Sequence, residues 1–145
     1  MPLLPRKGIL AIAAVVDVAL QEPGHPISAK TLAVRHALPP RHLEPVLQAL
    51  VRDGILRGIR GPRGGYELAR ERRDVTADDI LRAAGTAEEQ DTPASGSELV
   101  DKVVLPALAN AEKEFALALG RINIEDMARS VRDPERSPLA SSACA

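Results

Sequence analysis

Cysteine is nearly missing from this chain: of 145 residues, only Cys144 carries a thiol. A disulfide framework and any CxxC or Cys/His metal spacing are therefore excluded, and a reducing cytoplasm is the expected setting. Aromatic side chains are as scarce, with no Trp, and Tyr66 and Phe115 alone of their kinds. Stacking platforms for single strands or RNA loops are not available to such a chain. Long apolar runs are also lacking. Arg6-Lys7 followed by Gly8 to Val16 has the outline of a signal peptide, but Asp17 interrupts the run and no convincing cleavage site follows. The stretch is too short to span a bilayer, so it reads as a core helix and no membrane partner is expected.

Nor is there a strong excess of one charge, the formal net charge being −1. The total conceals an asymmetry. Residues 1–73 hold 12 Lys/Arg against 6 Asp/Glu, whereas residues 74–145 hold 7 against 14. A basic half is drawn to a polyanion and an acidic half is kept off it. The apolar residues are 45% of the chain and mostly Ala, Leu and Val, which suits a helical domain. The length fits one domain, or one small domain with an oligomerisation appendage.

Ile9, Ile12, Ala13, Val16 and Leu20 recur at helical spacing and predict a first helix from about residue 7 to Gln21, ending before Pro23-Gly24. Ser28 can cap a short second helix over about 29–34, with Ile27 and Leu32 as its hydrophobic staple. Beyond a turn at 35–38 and Pro39-Pro40, a third helix carries Leu43, Val46, Leu47 and Leu50 on one face. Arg41, His42, Glu44 and Gln48 fall on the other face, able to donate and accept at base edges. Gly54 stops this helix as a C′ residue. Pro45 lies inside it and removes the backbone bond to Arg41, so the helix is expected to begin later than Pro40 or to kink.

Two short apolar runs follow, Gly54-Ile55-Leu56 with Ile59 and then Tyr66-Glu67-Leu68, flanking Arg60-Gly61-Pro62-Arg63-Gly64-Gly65. Three glycines and a proline make a sharp reversal between two hairpin strands. Arg60 and Arg63 then project from a narrow tip, suited to a DNA minor groove where negative potential is concentrated. Two helices joined by a tight turn and followed by a hairpin form a winged helix-turn-helix. The bland alternative for the tip alone is a solvated surface hairpin.

Val75-Thr76-Ala77-Asp78-Asp79-Ile80 repeats the start grammar, with Thr76 as cap, Asp79 three residues on, and Val75 with Ile80 as staple. A fourth helix is expected to about Ala84, and residues 85–97 lack large apolar groups and read as a linker. Val100, Val104, Leu108, Ala111, Phe115, Leu119 and Ile122 then form a seam that alternates between three and four residues. A seam of that kind supports dimerisation, the alternative being packing against the chain's own first helix. Pro106 within it calls for a kink or a fresh helix start. The reading is thus a mainly α protein with a small β-hairpin wing: a winged helix-turn-helix DNA-binding domain (1–84), a linker (85–97), a dimerisation helix region (98–131) and a disordered tail (132–145).

The chain resembles the Rrf2 family of bacterial winged-helix transcription regulators over roughly residues 7–130. Leu10-Ala11 with Asp17-Val18-Ala19, His42-Leu43-Glu44 through Gly54-Ile55-Leu56, and above all Arg60-Gly61-Pro62-Arg63-Gly64-Gly65-Tyr66-Glu67-Leu68 carry the resemblance. It implies a homodimer, crossed by its long C-terminal helices, that binds an imperfect palindrome on double-stranded DNA and usually represses. It also places Arg41, His42, Glu44 and Gln48 on the helix in the major groove, and Arg60 and Arg63 in the adjacent minor groove. Ser28, the cap of the second helix, joins this set of expected DNA-binding residues. Val100, Val104, Leu108, Phe115, Leu119 and Ile122 are the expected dimerisation residues.

Sensor members of that family hold an iron–sulfur cluster on three cysteines in the linker, and residues 85–105 here contain none. No iron–sulfur cluster or other cofactor is therefore expected, and no metal site. A small-molecule or protein effector stays open. The competing class is a winged-helix protein-interaction module without DNA binding. An enzyme is not expected: capping explains Ser28, His25 sits beside Pro26, His36 lies in a turn, and no nucleophile, base and orienting group converge.

Overall fold

The computed structural model describes residues 4, 6–85, 97–133 and 135. Most of the expected linker, and most of the expected tail with Cys144, lie outside the described residues. Helix α1 (Arg6–Leu20) buries Ala11, Ala14, Val15, Val18 and Ala19, the i, i+3, i+4, i+7, i+8 pattern of a helix with one core-facing stripe. Its small residues let α1 sit at the centre, against helices from the middle and the later part of the chain.

Helix α2 (Ala29–Arg35) begins where expected, with Ser28 Oγ accepting from the Thr31 N–H at 3.1 Å. Ile27 and Leu32 are both buried, as a hydrophobic staple requires. Helix α3 (Pro40–Arg52) starts at Pro40, not later, and runs through Pro45. Proline is well placed at a first helical position, where its missing N–H has no partner to lose. The helix ends in a Schellman arrangement: Gly54 at φ +75° donates to the Val51 carbonyl and Ile55 to the Leu50 carbonyl, both at 3.0 Å.

Strands β1 (Leu56–Ile59) and β2 (Gly65–Leu68) pair antiparallel, with Leu56 opposite Leu68 and Ile59 opposite Gly65. A 3-10 turn at Arg72–Asp74 leads to α4 (Ala77–Gly85). Its start is a reciprocal box: the Asp79 N–H donates to Thr76 Oγ1 at 3.1 Å and the Thr76 N–H to Asp79 Oδ2 at 3.2 Å. Val75 and Ile80, the staple pair, are fully buried.

The C-terminal region is two helices rather than one. A π-helical turn at Val100–Val104 precedes α5 (Leu105–Gly120), and α6 (Ile124–Arg132) follows. Pro106, at the start of α5, has no N–H for the Lys102 carbonyl, and its ring crowds that carbonyl. The wider turn relieves this, with Leu105 donating to the Val100 carbonyl instead.

Ile122, placed on the helical seam by spacing, lies beyond the end of α5. Its carbonyl accepts from the Ala77 N–H at 2.8 Å, Ile124 donates to the Val75 carbonyl at 2.9 Å, and Asn123 bridges to Thr76. These bonds fasten the junction of α5 and α6 to the entrance of α4. Asn123 also caps α6, accepting from the Asp126 N–H at 2.8 Å. It is α6, with Ile124 and Ala128 buried, that packs on α1, whereas α5 leans on α4 and buries none of its own residues.

Candidate nucleic-acid interface

Leu43, Val46, Leu47 and Leu50 are each at most 2% exposed and lock one side of α3 into the core. Four residues per two turns set the rotation of the helix about its axis, so the opposite side is held outward. There Arg41, His42, Glu44 and Gln48 are exposed, and no side chain among them hydrogen-bonds or ion-pairs with a described residue. Two guanidinium or imidazole donors, a carboxylate acceptor and an amide that does both are the groups that read base edges. Pro45 shares this outward side. Lacking an N–H, it leaves the Arg41 carbonyl without its helical donor, yet the helix continues.

The orientation of α2 against α1 is fixed by Asp17. Its carboxylate meets His36 Nε2 at 2.7 Å and the Arg35 guanidinium at 3.3 Å, joining the end of α2 to the last turn of α1. The turn into α3 then needs Ala37 at φ +52°, with Leu38 donating to the Ala33 carbonyl at 2.9 Å. A left-handed alanine costs about 1 kcal/mol or more, and is tolerated where its surroundings over-determine the turn.

The wing is a hairpin whose five-residue tip contains Arg60 and Arg63. The Gly64 N–H donates to the Gly61 carbonyl at 2.9 Å, and Gly61 sits at φ +116°. A side chain at Gly64 would place its Cβ 2.1 Å from the Ile59 carbonyl oxygen, so glycine is obligatory there. Behind the tip, Ile27 pairs with Tyr66 as an isolated antiparallel bridge, a one-residue third strand. Gly65, at φ +156°, makes room for it, since a Cβ there would lie 2.4 Å from the Ile27 carbonyl oxygen. The wing is thus tied to the residue immediately before the Ser28 cap.

Of the hairpin's cations, Arg57 is neutralised by Glu67 directly across the sheet. Arg60 and Arg63 are exposed and meet no described carboxylate. Arg63 shares a cleft of about 520 Å3 with Ser28, Thr31 and Arg35, and no Asp or Glu lines it. Ser28 therefore stands at the rim of this cation-lined cleft while its hydroxyl is engaged in the cap and with Thr31 Oγ1 at 2.9 Å. Thr31 and Arg35 were not among the residues singled out from the sequence. Arg35 reads there only as a turn residue, because the pairing of Ile27 with the wing, which brings both halves of the cleft together, leaves no local signature.

Val100, Leu119 and Ile122 of the expected dimerisation set are half-buried, whereas Val104, Leu108 and Phe115 are exposed. Leu99, Val103, Leu105 and Leu117 are exposed as well, Leu117 on the opposite side of α5 from Leu108 and Phe115. Among the described residues no cluster of three or more His, Cys, Asp or Glu could hold a metal ion. No described helix is long and apolar enough to cross a membrane.

A core-locked helix with an exposed polar side, next to a hairpin whose tip arginines pair with no described residue, defines a winged helix-turn-helix DNA-binding protein. The model of the Rrf2 family, described as iron-dependent transcriptional regulator, matches residues 4–130, and the chain belongs to that family. A protein of Synechocystis sp. named as an HTH-type transcriptional regulator is 33% identical over 127 residues, covering 86% of each chain. HTH-type transcriptional regulator IscR of Vibrio atlanticus is 31% identical over 80 residues, which are 55% of this chain and 46% of that one. Among solved structures, T. potens IscR superposes with a TM-score of 0.71 at 28% identity, over 91% of this chain and 90% of that one. CymR, the global cysteine regulator of B. subtilis, superposes with a TM-score of 0.66 at 26% identity, over 89% and 98%. The protein is a DNA-binding transcriptional regulator.

Proposed function

We propose that this regulator works as a homodimer on an operator of two inverted half-sites, represses transcription from it, and does so without an iron–sulfur cluster. The carrying observation is the outward side of α3 beside Arg60 and Arg63, which are exposed and pair with no described residue. The helix supplies direct readout in the major groove, and the wing arginines add groove-width readout in the neighbouring minor groove. Ser28, at the start of α2, and Thr31 border the backbone between them.

Support for the dimer comes from α5. Leu105 and Leu108 are each 53% exposed and Phe115 is 37% exposed, on a 16-residue helix with no buried residue. Apolar surface on that scale marks an interaction site, and a helix so poorly covered gains its stability from a partner. A second α5 around a two-fold axis supplies it and sets two α3 helices in opposite senses, which an inverted repeat matches. Leu108→Glu with Phe115→Glu is expected to leave a monomer by analytical ultracentrifugation and to abolish tight binding of a two-half-site duplex. A variant that stays dimeric removes α5 from the interface.

Freedom from a cluster is read from the donor inventory. Cys144 is the sole thiol, and two copies in a dimer fall short of the usual four ligands. Protein purified without oxygen is expected to lack the visible absorption of a cluster and to bind DNA equally with and without chelator. The same α3 surface carries no aromatic anchor of the kind that protein-docking sites use, which favours DNA over a protein partner.

A further inference from the structure

Between the amino ends of α1 and α3 lies a cleft of about 530 Å3 that DNA recognition does not account for. That volume falls within the range of small-molecule sites, about 300–1,000 Å3. Its apolar lining is Leu10, Leu38, Leu43, Pro45 and Val46, and its basic lining is Arg6, Lys7, Arg41 and His42. No Asp or Glu is among its lining residues, so an anion entering it meets no like charge there. The cleft at the base of the wing is different, for its arginines face Glu22, Glu67, Glu71 and Glu125. Apolar and basic lining together select one ligand chemistry: a small amphipathic anion, with an apolar body and a carboxylate or sulfonate head.

Arg41 and His42 also stand on the side of α3 that faces DNA. A guanidinium that holds the head group of a ligand in the cleft is not free to hold a phosphate or a base edge. Occupancy and DNA binding are then mutually exclusive at those two residues, which gives the ligand the differential affinity that any effector requires.

We infer that this cleft is an effector site for a small amphipathic anion, and that filling it releases the operator. The second half rests on the DNA-binding reading; the first does not. Octanoate titrated calorimetrically into the DNA-free protein is expected to bind saturably at one site per chain. 1-Octanol, with the same chain and no charge, and inorganic phosphate, with charge and no chain, are each expected to bind at least about tenfold more weakly. Arg6→Ala with Arg41→Ala is expected to weaken octanoate by about tenfold or more through the basic lining. Leu38→Ala tests the apolar lining, and thermal melts of both variants confirm folding. Absence of saturable heat, phosphate as good as octanoate, or equal affinity in folded variants overturns the site.

Competition is read by fluorescence anisotropy on operator DNA, with octanoate set against the same concentration of chloride. Octanoate is expected to weaken operator binding by the factor that its own occupancy dictates, and the loss is expected to shrink in Leu38→Ala. Octanoate bound with no change in operator affinity overturns the effector role. A protein that binds octanoate in this pattern but no duplex DNA overturns the regulator reading and its release step, and leaves the ligand site standing.

Discussion

Ile27 and Tyr66 exchange backbone hydrogen bonds in both directions, at 3.1 and 2.8 Å. Through this one-residue strand the wing is joined to the segment that starts α2. A wing tip and an outward helix held together in this way are expected to bind with less loss of freedom, since pre-organisation strengthens binding by reducing its entropic cost.

Gly65→Ala tests that link. Its Cβ would fall 2.4 Å from the Ile27 carbonyl oxygen and 2.8 Å from the Ser28 nitrogen, both backbone atoms that cannot step aside. The substitution is expected to cost about 1–3 kcal/mol in urea denaturation and to weaken operator binding further than stability alone explains. Gly58→Ala on the neighbouring strand, where a Cβ meets nothing within 4 Å, is the matched control and is expected to leave binding nearly unchanged. Equal effects from the two changes remove the Ile27 bridge from the account.

Arg60→Ala with Arg63→Ala removes charge at little cost in packing, because both residues are exposed and neither side chain hydrogen-bonds or ion-pairs with a described residue. The melting temperature is expected to stay within about a degree or two, in keeping with surface substitutions worth under about 0.5 kcal/mol. Operator affinity is expected to fall at least about tenfold, and the slope of log K against log salt to flatten by about 2. An unchanged slope means that the wing tip does not meet the phosphate-lined groove.

Glu44→Ala and Gln48→Ala are expected to act on specificity. Each is expected to cost about 1–3 kcal/mol on the operator and little on random duplex, measured in parallel titrations at one salt concentration. A uniform loss on both DNAs assigns these residues to the backbone rather than to base edges.

Pro45→Ala restores a donor for the Arg41 carbonyl in a helix that otherwise runs unbroken from Pro40 to Arg52. It is expected to raise stability by up to about 3 kcal/mol, read as a higher urea midpoint. A lower midpoint shows that the ring is needed for packing at the cleft beside it.

Much of this architecture was legible in the chain because its signals are local. Ser28 and Thr76 announce helices through hydroxyls that cap residues three positions on, and Gly54 announces an end through a backbone conformation that other residues resist. The wing declared itself through its glycines. The break between α5 and α6 was missed, although Asn123 followed by Glu125-Asp126 is a start signal, because the apolar spacing continues through Ile122. That residue keeps the seam's rhythm while serving a backbone bond to Ala77. Pro45 argued against a helix beginning at Pro40, but the buried leucines of α3 outweigh one missing bond. The cleft joining Arg63 to Thr31 and Arg35 arises from Ile27 meeting Tyr66, a contact between positions far apart in sequence with no pattern of its own.

Whether α3 and the wing together read a DNA sequence is decided by selection of bound duplexes from a random-sequence library, followed by salt titration of the best one. An enriched inverted repeat is expected, with half-sites about one helical turn, or a multiple of it, apart and affinity that falls steeply as salt rises. Recovery of no common sequence, or of a sequence bound equally at low and high salt, contradicts such readout.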